Sequence, residues 1–175
     1  MIIFDTETTD LLKPDIADLS AQPHIIEIAM ARVCETTYKV LETYVSLVNP
    51  EVPLDEEMHK KISKLTNADL KDQPTFLELY QEIADFYLGE HKWVAHNLEF
   101  DKGVLVCELR RIGKEYAFPF PPNQICTVNA TKHLKGHRLR LVELYELKLK
   151  RKLEQKHRAL SDVMALAEIV KEMKL

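Results

Sequence analysis

The chain has 175 residues, a net charge of −4, and 46% hydrophobic against 30% charged residues. A chain of this length suits one domain over residues 1–175 that buries roughly 70% of its unfolded surface, and no apolar run reaches the roughly 18 residues of a membrane span. The opening MIIFDTET has neither a basic leader nor a small-residue cleavage site, so a secreted or membrane-anchored protein is not expected.

In chain order, residues 1–6, 24–34 and 38–49 are rich in Ile, Val and Tyr and short enough for strands, with Thr36–Lys39 (TTYK) as a hairpin between the last two. From Pro74 the spacing becomes helical. Phe76, Leu79, Tyr80, Ile83 and Tyr87 fall on one stripe, and Gly89 ends that helix before a short strand at Lys92–Ala95. A helix over 98–113 follows, with Asn97 placed to cap it. The proline cluster from Phe118 to Pro122 fits an ordered connection, a brief strand lies near Ile125, and further helical segments end in an amphipathic helix over 158–173. A meander followed by alternating helix and strand predicts an α/β fold, a mixed sheet flanked by helices.

Three cysteines, Cys34, Cys107 and Cys126, are odd in number and lack paired ligand spacing. They read as reduced core residues of a cytoplasmic protein, not as a disulfide framework or zinc site. The overall negative charge argues against nucleic acid, but its distribution does not. Residues 1–75 carry seven Lys and Arg against fourteen Asp and Glu, whereas residues 132–175 carry twelve against six. Ten of those twelve cations lie between Lys132 and Arg158. Such a run either solvates a helical face or meets several phosphates.

Four acids occupy unusual positions. Asp5 and Glu7 stand at i and i+2 of an otherwise apolar strand and so point the same way. Their repulsion is costly unless a cation lies between them. Asp101 lies three residues after Leu98 and four before Leu105, on the apolar stripe of its helix. Asp162 repeats the pattern between Ala159 and Leu166 of the last helix. Carboxylates paired with arginine would satisfy each position singly. Two such helices and a DxE strand fit a shared site for divalent cations. His157, five residues before Asp162, would lie about 140° away on a helix and is therefore placed on the preceding loop, where an imidazole suits a general base.

FDTETT with the downstream IIEIA, VAHNLEFD and HRALSD resemble, in order and separation, the three motifs of the DnaQ-like exonucleases of the DEDDh class. The likeness covers nearly the whole chain. It implies an RNase H-like (DnaQ-like) mixed five-stranded sheet flanked by helices, two Mg²⁺ or Mn²⁺ ions, and stepwise release of nucleoside 5′-monophosphates from a 3′ end. By the same resemblance Asp5, Glu7 and Asp162 would ligate metal, Asp101 would complete the metal site in part through water, and His157 would be the base. Thr8, Leu11, His59 and Asn97 form the implied substrate-binding set, with Leu11 as a wedge against the terminal base pair. MHKKIS departs from the family's histidine-glycine-isoleucine segment by one residue and lacks its glycine, and Asp10 stands where the family has glycine.

The Leu11-Leu12 pair cannot hydrogen-bond a 2′-hydroxyl but can stack on or pry beneath a base, which favours single-stranded DNA or duplex 3′ ends as partner. An RNA-trimming exoribonuclease and a polymerase-associated module without turnover are the alternatives. The sequence ends at Leu175, directly after the last helix, so a polymerase-binding tail is not expected and a free-standing cytoplasmic enzyme is.

Overall fold

The structure, a computed structural model, describes residues 1–154 and 157–175. Its first strand, β1 (Ile2–Thr8), runs two residues past the predicted end, so that Glu7 and Thr8 belong to it. β2 (Ile25–Val33) and β3 (Val40–Leu47) pair antiparallel as expected, joined by a turn in which the Tyr38 N–H donates to the Cys34 carbonyl at 2.8 Å. Two four-residue helices, α1 (Glu56–His59) and α2 (Asn67–Leu70), fill a stretch for which periodicity gave no element. Four residues cannot complete the apolar repeat by which a helix is recognised.

α3 (Phe76–Tyr87) begins with a capping box: the Thr75 N–H donates to the Glu78 carboxylate at 2.7 Å while the Thr75 side chain accepts from the Glu78 N–H. It ends before Gly89, whose φ of +81° suits glycine. β4 (Lys92–Ala95), α4 (Leu98–Arg111), β5 (Asn123–Cys126), α5 (Thr127–Thr131), α6 (Leu141–Leu149) and α7 (Ala159–Met173) complete the chain.

The sheet has five strands in the order β3-β2-β1-β4-β5, antiparallel from β3 to β1 and parallel from β1 to β5. β1 is therefore central, and its alternating side chains serve two cores. Ile2 and Phe4 pack with α3, α4 and Trp93; Ile3 packs with α6 and α7. β2 divides in the same way, Ile28 and Met30 facing α3 and α4, Ala29 and Ala31 facing α7. Phe118 is buried with Phe120 against it at 4.7 Å between ring centroids, so the proline-rich connection is packed as predicted.

Cys107 and Cys126 are buried thiols, but Cys34 is not a core residue. It opens the β2–β3 turn, where the Thr36 and Thr37 hydroxyls lower its thiol pKa to about 6. Among the described residues no helix is long and apolar enough to cross a membrane.

Candidate active site

The site forms where the C-terminal half of β1 meets the first turns of two helices on opposite faces of the sheet. Asp5 and Glu7 share the face of Ile3, toward α7, and there Asp162 from the first turn of α7 joins them. One carboxylate oxygen from each of the three lies within 4.8 Å of the others. Asp101 approaches from α4 on the other face. Its Oδ1 accepts from the Thr6 N–H at 3.1 Å and the Thr6 hydroxyl at 2.8 Å. Three predicted acids thus meet directly, and the fourth is bonded to the residue between two of them.

Burial and mutual repulsion disfavour charge here. Desolvation, then Asp101, Asp162 and Glu7, hold Asp5 well above the usual carboxylate range. Glu7 is raised to about 8 by desolvation, Asp162 and Glu27. Asp101 is raised to about 7 by burial, against the two hydrogen bonds from Thr6. Hard oxygen donors converge at this spacing, and burial and neighbouring acids make Asp5 and Glu7 reluctant to ionise, which fits a divalent cation that would offset the repulsion.

Beside the acids is a pocket of about 360 Å³ lined by Thr6, Glu7, Thr8, Leu11, His59 and Phe100, among others. Three of the four predicted substrate residues therefore come together. Leu11 is 72% exposed at the rim, while Leu12 beneath it packs on the α4 face at Gly103. His59 is buried, its Nδ1 2.9 Å from the Ser63 hydroxyl and its Nε2 3.4 Å from the Thr9 carbonyl. Asp10 shapes the loop: its carboxylate accepts the Leu11 N–H at 2.7 Å and pairs with Lys13 at 3.0 Å.

Asn97 departs from expectation. It occupies the N-cap position of α4 but makes no side-chain cap hydrogen bond, because its backbone is left-handed at φ +81°. Its Oδ1 instead accepts from the Arg138 guanidinium, and Asn97 does not line the pocket. His157 is exposed at φ +49°, ahead of α7 as predicted. It lines a neighbouring groove of about 810 Å³ with Lys61, Ser63, Lys64 and Arg158, and is not among the clustered ligand atoms.

The basic C-terminal run is divided. Arg151 pairs with Glu168, and Arg158 is bound by Glu27. Lys156 lies outside the described residues. Neither Glu27 nor Lys61 and Lys64 stood out in the sequence. IIEIA belongs to the first motif, but no role attached to Glu27 within it, because the partner of Glu27 is distant in the chain.

The family model described as Exonuclease (RNase T) matches residues 2–170. A DNA polymerase III PolC-type of Caldanaerobacter subterraneus subsp. tengcongensis is 31% identical over 180 residues, covering 98% of this chain and 11% of that protein. Its counterpart from Clostridium perfringens is 28% identical over 170 residues, covering 97% and 11%. The chain thus spans about a tenth of the length of these curated relatives. Among solved structures, exonuclease X in complex with 5′ overhanging duplex DNA is similar at TM-score 0.65 and 27% identity, over 97% of this chain and 90% of that one. The nuclease domain of 3′hExo, a DEDDh family member bound to rAMP, reaches TM-score 0.77 at 18% identity over 98% and 90%.

Sheet order and structural likeness define an RNase H-like fold. The chain belongs to the exonuclease family. Membership brings a general dependence on divalent cations.

Proposed function

We propose that this domain hydrolyses DNA from the 3′ end and releases 5′-mononucleotides, with Asp5, Glu7, Asp162 and Asp101 holding two divalent cations, Mg²⁺ or Mn²⁺, and His157 as general base. The observation that carries this reading is the meeting of three carboxylates within 4.8 Å at the edge of a pocket lined by Thr8, Leu11 and His59. The cations, when bound, would neutralise charge developing on the phosphate and favour ionisation of the attacking water.

The protein's own groups do the rest. Asp5, Glu7 and Asp162 would turn their carboxylates toward the cations, and Thr6 orients Asp101 behind them. His157 would accept the proton of the attacking water at an imidazole nitrogen. Its loop carries it directly before the helix that bears Asp162. Thr8, Leu11 and His59 would hold the terminal nucleoside, and the exposed Leu11 offers stacking surface without a partner for a 2′-hydroxyl. The DNA in the exonuclease X complex and the DNA polymerase name of the relatives support DNA as substrate.

The test uses single-stranded DNA, duplex DNA and RNA, each labelled at the 5′ or the 3′ end, with Mg²⁺ or with EDTA. A ladder shortening by single nucleotides from the 3′ end, only with metal and fastest on DNA, is expected. Faster digestion of RNA would replace the substrate class, and internal cleavage products or activity in EDTA would overturn the mechanism.

A further inference from the structure

We propose that Glu27 is a positioning residue for the reaction: it clamps the first turn of α7 to the sheet and so sets Asp162 and His157 against the acids of β1. The proposal rests on the functional reading above. Glu27 is 1% exposed, an extreme position for a carboxylate. It lies on the α7 face of β2, directly across from Glu7 in the strand register. Neighbours on one face at such a position are about 5 Å apart, so its charge acts on the cluster and raises both Asp5 and Glu7.

Such a placement is unfavourable unless something else requires it, and what it binds is specific. The Arg158 Nε donates to Glu27 Oε1 and Oε2 at 3.1 and 2.9 Å, and Nη2 donates to Oε1 at 2.7 Å. The Ala159 N–H donates to Oε2 at 3.2 Å. Arg158 itself supplies no side-chain cap to α7. The helix therefore takes a cap from a strand distant in sequence, where a negative charge suits the free N–H groups. A forked guanidinium–carboxylate pair fixes direction as well as distance.

Arg158 lies between the two residues whose placement matters. His157 precedes it, and one turn later the Asp162 N–H donates to the Arg158 carbonyl at 3.2 Å. Loosening the clamp would move base and acid together while leaving the pocket that receives the nucleoside intact. An ion pair serving only stability would be replaceable by apolar groups. This one orients the segment on which two of the five chemical residues are carried.

The experiment compares Glu27→Gln, Arg158→Lys, the double variant of these two, and Asp162→Ala with the unaltered chain. It reads melting temperature, Mn²⁺ affinity by calorimetry, and kcat and KM on single-stranded DNA. The expected result for folded Glu27→Gln is Mn²⁺ binding weakened by about 10–100-fold, the range for outer partners of metal ligands, and a fall in kcat with KM unchanged. Arg158→Lys, which keeps charge but loses the fork, should fall in the same direction, and the double variant should be no worse than the poorer single one. Should Glu27→Gln not fold, Arg158→Lys decides alone, since that side chain is 45% exposed and can be changed without opening the core. Wild-type Mn²⁺ affinity and kcat in the folded variants, with only the melting temperature lowered, would overturn the inference. Full activity of Asp162→Ala would instead overturn the functional reading beneath it.

Discussion

Glu7 is the residue at which chemistry and stability conflict most openly. Folding raises its carboxyl from an ordinary 4.5 to about 8, so the folded chain holds that proton more tightly than the unfolded one. Its contribution to stability is fully present below about pH 4.5 and is lost as the pH climbs through about 8. In EDTA the melting temperature should fall across that window, the total loss being on the order of a few kcal/mol. Saturating Mg²⁺ or Mn²⁺ should restore it by mass action. Glu7→Gln should lower hydrolysis by about 10²–10³-fold or more, yet melt above the unaltered protein at pH 9 without metal. Equal melting there would mean that the acids do not repel as described. His157 should behave differently, because a base acts on proton transfer. His157→Ala should cut kcat by about 10²–10⁴-fold with Mn²⁺ binding by calorimetry intact. A matching loss of Mn²⁺ affinity would make it a ligand. Glu7 was legible because it stands in an otherwise apolar strand, and His157 through its spacing from Asp162. Glu27 was not, since its meaning depends on Arg158, far along the chain.

Among elements, the loop between β1 and β2 carries the most unexpected dependence. Leu11 is exposed at the pocket rim while Leu12 beside it packs against α4 at Gly103, where there is no Cβ. A Cβ on Gly103 would lie 2.4 Å from Leu12 Cδ2. The far end of the Leu12 side chain can yield, at a cost of up to about 1–3 kcal/mol for overpacking, and its seat on α4 is then altered. Leu11→Ala should lower digestion of duplex 3′ ends while sparing single strands, and Gly103→Ala should reproduce that selectivity in weaker form. The ratio of initial rates on blunt duplex and single-stranded DNA measures both, and an unchanged ratio in Leu11→Ala would remove its role as a wedge. The long elements were readable because α3, α4 and α7 each complete several apolar turns and β1 to β3 are dense in branched residues. α1 and α2 were not, being four residues each and held by caps such as the Thr66–Asp69 box. Asn97 escaped for a related reason: its identity suits a cap, but its left-handed backbone turns the amide to Arg138.

For the molecule as a whole, total charge is a poor guide and its disposition a better one. The basic run that the sequence offers as a phosphate surface is partly neutralised by Glu168 and Glu27, whereas Lys61 and Lys64 line the groove beside His157. Replacing Lys61 and Lys64 by Gln should therefore flatten the slope of log KM against log salt on single-stranded DNA, by about 0.7 for each phosphate no longer neutralised. Arg151→Gln should leave the slope alone, and the reverse pattern would return the phosphate surface to the C-terminal run. The sheet order has another consequence, in time. β1, β2 and β3 are sequence neighbours and can pair early, but the acids of β1 meet Asp162 only when α7 docks from the other end of the chain, a pairing with a large loop-closure cost. A nascent or refolding chain should thus acquire its hairpins before it can capture metal. Stopped-flow refolding would then show Mn²⁺ uptake lagging the far-ultraviolet signal. A nuclease assembled in that order stays harmless to the nucleic acids around it until the last helix is in place.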